Sequence, residues 1–353
     1  AAAQQPAPAT TINDPRVGKK VLVTVAGAAL RTPEAIVWKS YLGETFTVSL
    51  VNGEWLWVAE KGGWLWEKET LPFENAVSEL SKRISAEPSA ENYHLRGIAY
   101  MAHREYDKAL ADFNQSLTKK PGAAGVLNNR GQARYLKREY AAAIDDFNAA
   151  TKADAKHFVA MNNRALCNIA LGQYDAALRD LNAALVLNKE YPEALNNRGV
   201  VHGKRGDFKA AIADYSAAIK IDARYTDAYG NRAFALRKQG QVTQAIADLK
   251  TAMEKDPLSY QPVNDLAWIY ATTNDASVRN PKEAVRLATQ ACQMSQYADW
   301  NAIHTMAVAG AAAGDFTSAK QWISTAVENA PESEKARLRE HQSALFKGQT
   351  VSD

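Results

Sequence analysis

The sequence predicts a mainly α-helical protein: a stacked array of helix pairs preceded by a small β-rich domain. The first observation behind this is a period. The arginines at 96, 130, 164, 198 and 232 are each 34 residues apart, in the triplets HLR, NNR, NNR, NNR and GNR, and a fixed period of roughly 20–50 residues is the mark of a stacked array. The second is the company each arginine keeps. Gly or Ala follows at once (Gly97, Gly131, Ala165, Gly199, Ala233), and Ala comes thirteen on (Ala109, Ala143, Ala177, Ala211, Ala245). A large apolar residue comes seventeen on (Phe113, Phe147, Leu181, Tyr215, Leu249) and a small one twenty on (Ser116, Ala150, Ala184, Ala218, Ala252). Small residues where backbones approach, with one large side chain filling the gap, describe two antiparallel helices per repeat. The third is a cluster of short β-rich runs between residues 15 and 70, where five of the eight tryptophans lie.

From the N-terminus, residues 1–14, AAAQQPAPATTIND, read as an extended Ala/Pro-rich arm. A start on Ala followed by Pro and Thr looks like the end left by signal-peptidase cleavage, which predicts an exported protein, periplasmic or extracellular. Residues 15–70 hold the runs KKVLVTV, ETFTVSLV, EWLWVA and GWLWEK, separated by turn signals at Asn52-Gly53 and Gly62-Gly63, and short strands with Gly turns predict a small barrel. Strand alternation sets Leu56, Val58 and Leu65 toward the core, and Trp55, Trp57, Trp64 and Trp66 in an outer aromatic strip. The segment VNGEWLWVAEKGGWLWEKETL is similar to the end of bacterial SH3-like domains. That resemblance implies an aromatic groove for peptides or cell-wall stems. The alternative is that the strip packs on the following helix and first repeats.

Residues 72–88 carry Phe73, Val77, Leu80 and Ile84 at helical spacing and predict a linker helix. Five regular repeats occupy 90–259, with Gly172, Gly206 and Gly240 ending first helices and Pro121 and Pro257 closing second ones. After 259 the register is expected to slip. Residues 260–333 read as two degenerate repeats, one with Ala284, Ala288 and Ala291 and a loop insertion around 272–281, the other with Ala319, Ile323, Ala326 and Pro331. Residues 334–353 read as a capping helix and tail, the polar end a solenoid needs for solubility.

The small, small, large, small pattern at this spacing resembles the tetratricopeptide repeat (TPR) family. The resemblance implies a right-handed α-solenoid whose first helices line a concave, protein-binding groove. Two residue series gain meaning from it. Sixteen residues after each arginine stands an aspartate (Asp112, Asp146, Asp180, Asp214, Asp248), so Arg96, Arg130, Arg164, Arg198 and Arg232 are expected to form a structural ladder of ion pairs. Asn129, Asn163, Asn197 and Asn231, with Asn128, Asn162 and Asn196, resemble the amide series by which such arrays hold an extended peptide, since an amide both donates and accepts. The other reading has Asn128, Asn162 and Asn196 facing solvent or capping gaps between helices. The pairs Lys137-Arg138, Lys204-Arg205 and Arg237-Lys238 end first helices, where they either complement the dipole or form a basic rim.

The chain is 353 residues long, 23% charged and of net charge +3, which makes no case for nucleic acid; no apolar stretch approaches the roughly eighteen residues of a membrane span. Cys167 and Cys292 fall in distant repeats and are expected to stay unpaired. No P-loop, H-E-x-x-H, G-x-S-x-G or paired-Cys motif occurs, and the histidines at 94, 103, 157, 202, 304 and 341 lack metal-ligand spacing. The expectation is therefore a non-enzymatic, exported bacterial scaffold that takes a protein or peptide in its groove, with no cofactor and no metal. Two alternatives stand beside it: a structural subunit polymerising head-to-tail into a filament, tube or ring through the arm or β domain, and a cell-wall protein attached through the SH3-like domain.

Overall fold

A computed structural model describes residues 14–25, 28–32, 35–39 and 43–352. The N-terminal arm, apart from Asp14, lies outside them. The chain divides into two compact units, one ending at Ala176 and one beginning at Ala177.

Among the described residues the first unit opens with eight short strands: β1 (Lys20–Val23), β2 (Ala29–Arg31), β3 (Ile36–Lys39), β4 (Thr45–Thr47), β5 (Leu50–Asn52), β6 (Trp55–Val58), β7 (Gly63–Trp66) and β8 (Thr70–Pro72). They form two antiparallel sheets, ordered β4-β1-β8 and β3-β2-β7-β6-β5. Between β4 and β5 the chain passes from one sheet to the other, where the Val48 amide donates to Lys19 and the Ser49 amide to Trp57. Val21, Val23, Leu30, Phe46, Val51, Leu56, Val58 and Leu65 share one buried core between the sheets. The other face of β1 is apolar too. Leu22, with Leu71 of β8, packs on the helix α1 (Ala76–Ala86) through Ala76 and Leu80, and on α2 (Ala90–Ala102) through Leu95 and Ala99.

The remaining helices come in antiparallel pairs. In the first unit α2 pairs with α3 (Tyr106–Lys119), α4 (Ala124–Leu136) with α5 (Tyr140–Ala153), and α6 (Phe158–Ala170) follows. After α7 (Tyr174–Leu187), the second unit pairs α8 (Pro192–Lys204) with α9 (Phe208–Ile221), and α10 (Thr226–Lys238) with α11 (Val242–Lys255). It continues with α12 (Gln261–Thr272) and α13 (Pro281–Met294), α14 (Trp300–Ala312) and α15 (Phe316–Asn329), and ends on α16 (Glu332–Phe346). The fold is a helical solenoid preceded by a β region. No helix among the described residues is long and apolar enough to cross a membrane.

Each helix pair closes on one contact, and residue size is matched across it. A Cβ at Gly97 would lie 2.5 Å from the Phe113 ring, one at Gly131 2.7 Å from Phe147, and one at Gly199 2.6 Å from Tyr215. Where the small residue is Ala233, its counterpart is the slimmer Leu249, and both are buried. The first helices end on a left-handed residue that frees the chain to reverse. Gly206 and Gly240 serve there at φ +81° and +75°, whereas Arg104 and Arg138 take the same position at φ +59° and +63°.

The slip in register expected after 259 falls in the loop between α12 and α13, around the insertion expected at 272–281. The 34-residue register does not slip at 259; it runs through α12. Asn264-Asp265-Leu266 stands 34 residues beyond Gly230-Asn231-Arg232, and Ala267 takes the small position at 0% exposure. The extra residues fall in the loop 273–280, between α12 and α13. With Leu266 in place of arginine, the sixth pair fills by apolar packing the space an ion pair takes in its predecessors.

Candidate functional site

The arginines tie the helices together. Arg96 holds Asp112 through two bonds of 2.7 and 2.8 Å, and Arg232 holds Asp248 through two of 2.7 Å. Arg198 does the same to Asp214 at 2.9 and 2.7 Å, and Arg130 to Asp146, which also receives Arg134 at 2.9 Å. The remaining guanidinium nitrogen reaches back to the preceding second helix: Arg130 to Asn114 at 2.8 Å, Arg164 to Asn148 at 2.7 Å, Arg198 to Asn182 at 2.8 Å and Arg232 to Ser216 at 3.0 Å. Each such arginine joins adjacent repeats, and the aspartates it meets are buried. Arg164 ends the first unit's series, and Asp180 is buried on α7 in the second.

The asparagines form a second ladder, along the first helices. Asn163 donates to Asn128 at 3.0 Å, Asn231 donates to Asn196 at 2.9 Å, and Asn129 lies 2.9 Å from the His94 ring nitrogen. Asn128 in turn donates to Asn129 and Asn162 to Asn163. Asn128, Asn162 and Asn196 are buried; Asn129, Asn163, Asn197 and Asn231 are half-buried. The amides proposed to read a peptide backbone are thus largely engaged with each other. The ladder ends at Gly230, which occupies the position of Asn196 one repeat on and has no side chain to offer the next rung.

In the β region the four tryptophans face one another across β6 and β7, Trp55 opposite Trp66 and Trp57 opposite Trp64. The Trp57 and Trp64 rings lie 5.2 Å apart, and Trp66 donates to Glu54 at 3.3 Å beneath Lys68. Trp55 is buried and the other three are half-buried. The helix α1 packs on the three-stranded sheet, which carries none of them.

The geometry most suited to holding a ligand lies in the second unit, where Asn231 and Asn196 meet residues the periodicity did not single out. Three cavities run along α10. The first, about 540 Å³, is lined by Asn196, Asp227, Gly230, Asn231, Phe234 and Asp265 among others. Phe234 and Asp265 also line the second, about 450 Å³, with Arg237, Asn264, Trp268, Thr305 and Arg337. Arg237 and Lys238 continue into the third, about 400 Å³. Phe234 is 50% exposed, with the Arg237 guanidinium 5.4 Å from its ring. Asp265 opens on solvent yet is walled by protein, so burial pushes its carboxyl up to about 6 against the pull of Arg237. Burial likewise lowers Arg237 and Lys238 from their usual values. The Asn264 Oδ1 atom is buried without a partner among the described residues.

Beside this groove, α16 is latched to α14. His304 Nε2 and His341 Nδ1 are 2.9 Å apart, and the Trp268 ring lies tilted against His304 at 5.2 Å and stacked on His341 at 6.2 Å. His304 is fully buried, and burial, with His341 and Arg337 adding repulsion, lowers its pKa to about 3. His341 is lowered by burial and Arg337, with Glu340 opposing. Sequence spacing gave no hint of this pair. Cys167 and Cys292 are free and buried, their thiols pushed up to about 12 and about 11 by desolvation.

Family models described as tetratricopeptide repeat match residues 94–157 and 192–225, and one described as TPR repeat matches 169–206. No curated protein matches the sequence. Among solved structures, the APC/C hetero-tetramer Cut9-Hcn1 is similar with a TM-score of 0.59 at 17% identity, over 66% of this chain and 45% of that one. A tetratricopeptide repeat protein from Parabacteroides merdae ATCC 43184 is similar with a TM-score of 0.53 at 15% identity, over 77% of this chain and 99% of that one. This chain therefore spans less than half of the first. At such identities the likeness is one of fold: the chain carries tetratricopeptide repeats in a solenoid.

Proposed function

We propose that this protein is a non-enzymatic interaction scaffold that binds an extended polypeptide in the groove along α10. One observation carries the reading. Three cavities follow one another along a first helix, the first joined to the second through Phe234 and Asp265 and the second to the third through Arg237 and Lys238. Such a trough, elongated and lined by aromatic and polar groups, suits a chain segment better than a compact small molecule. An exposed phenylalanine beside a guanidinium is the type of anchor on which binding energy concentrates.

The test is a displayed library of random peptides selected in parallel on the wild-type chain and on Phe234→Arg. Peptides enriched on the wild type and lost on the variant support the reading. Equal enrichment on both, or none on the wild type, overturns it.

A further inference from the structure

The groove is electrically polarised, and not only by the residues of α10. Asp227 stands in the first turn of α10 and Arg237 in its last, as the helix dipole favours. Asp265 and Arg337 are not placed by that dipole, although Arg337 also pairs with Glu334 at 3.0 Å on its own helix. Asp265 lies in the middle of α12 and Arg337 within α16, yet each adds its charge at the matching end. Around the first cavity stand two carboxylates, Asp227 and Asp265, with no lysine or arginine among its lining residues. Around the second, Arg237 and Arg337 outweigh Asp265. Between them Phe234 and Trp268 supply aromatic surface. These two occupy equivalent positions 34 residues apart, two residues after the third member of each triplet.

Resting on the peptide-binding reading above, the geometry points to the ligand's chemistry. The groove selects a polypeptide segment presenting a cationic, an apolar and an anionic side chain in that spatial order. The cation meets Asp227 and Asp265, the apolar group sits against Phe234 and Trp268, and the anion meets Arg237 and Arg337. The spacing follows from α10. Asp227 to Phe234 is seven residues, about 10 Å at the helical rise, and Phe234 to Arg237 is three, about 5 Å. An extended ligand advances about 3.3 Å per residue. The cation therefore stands about three residues from the apolar side chain, and the anion one or two residues beyond it on the other side. Because the trough continues past the basic end into the third cavity, the anion is an internal side chain and a free C-terminus is not required.

Protonation supplies an independent handle. Its surroundings push the Asp265 carboxyl up to about 6. A ligand cation favours its ionised form, so affinity falls as pH drops through that value, with a proton released on binding at pH 6.

The experiment uses the full chain and three N-acetylated, C-amidated nonapeptides of Ala and Gly. Each has Phe at its fifth position, and positions two and seven carry Lys and Glu, Lys and Lys, or Glu and Glu. By calorimetry the Lys/Glu peptide is expected to bind at least tenfold tighter than either like-charged one. Its affinity should fall severalfold from pH 7.5 to 5, and the fall should vanish in Asp265→Asn. Asp265→Lys, checked for folding by circular dichroism, should move the preference to the Glu/Glu peptide. Equal binding of the three peptides, or no binding of the Lys/Glu peptide at millimolar concentration, overturns this inference. Either result leaves the peptide-library test of the groove itself intact.

Discussion

The matching of small to large residues across each helix pair makes a quantitative prediction for Gly131 and Phe147. In Gly131→Ala the new methyl would lie 2.7, 2.9 and 3.0 Å from three atoms of the Phe147 ring. Contact between carbons is comfortable at about 3.5–4 Å, so the ring must move by nearly 1 Å, and Phe147 is at 0% exposure with no open side to move toward. Overpacking of that kind costs about 1–3 kcal/mol; Ala returns about 0.5–1 kcal/mol over Gly within a helix. The net loss is then about 1–2 kcal/mol. Phe147→Leu alone leaves a gap and costs roughly 1–3 kcal/mol, between a methyl deletion and a full truncation. The double variant recreates the pairing that Ala233 and Leu249 already make. It is expected to be about 1–2 kcal/mol more stable than the sum of the singles, the sign of coupled neighbours. Hydrogen exchange at the amides of α4 and α5 reads the effect locally, which matters because repeats need not unfold as one unit. If the two changes add to within about 0.5 kcal/mol, complementary size is not what sets residue choice here.

Three further outcomes are expected. Arg96→Ala should cost about 3 kcal/mol or more by stranding the buried Asp112, whereas Arg96→Met with Asp112→Leu should cost clearly less; denaturant unfolding separates the two. Arg138→Gly should stabilise by about 0.5–1 kcal/mol, because the left-handed φ of +63° strains a residue with a Cβ; an unchanged or lower melting temperature would contradict this. His304 is depressed to about 3 from a reference of 6.5, so its neutral form contributes stability above pH 6.5 that is lost as pH falls toward 3. From pH 7 to 5 this is about 2 kcal/mol, and pH-dependent unfolding of His304→Leu should lack that component.

Much of the fold was legible because the same contacts recur from repeat to repeat. Gly97, Gly131 and Gly199 face rings, Ala109 and Ala143 let backbones approach, and Arg96, Arg130, Arg198 and Arg232 meet aspartates sixteen residues on; repetition turns each requirement into a visible period. The alternation around Leu56 and Leu65 likewise indicated a buried face of the β region, but it set Trp55 outside and Trp55 is buried too. What escaped was set by contacts made once. His304 and His341 meet only because α16 folds back on α14, and no local pattern encodes a pairing of that kind. Phe234 and Trp268 share a register position, but each reads as one more apolar helix residue until neighbouring first helices are seen to leave that position open to a groove.

The end of the amide ladder joins the structural series to the site. An asparagine at the first triplet position accepts from the second asparagine of the next repeat, as Asn128 does from Asn163 and Asn196 from Asn231. Filled rungs hold first helices together and leave little amide capacity for a ligand. Gly230 breaks the series: a Cβ there would meet nothing within 4 Å, so the missing side chain leaves open space. One repeat on, the second position is Asp265, a carboxylate that can only accept when ionised and faces a glycine that cannot donate from a side chain. The changes at 230 and 265 fall on the two halves of one rung, and both residues line the first cavity of the groove. Two departures at one rung cost the array a stabilising contact beside the first cavity of the groove. The triplet is structural where it is kept, and the groove opens where it changes.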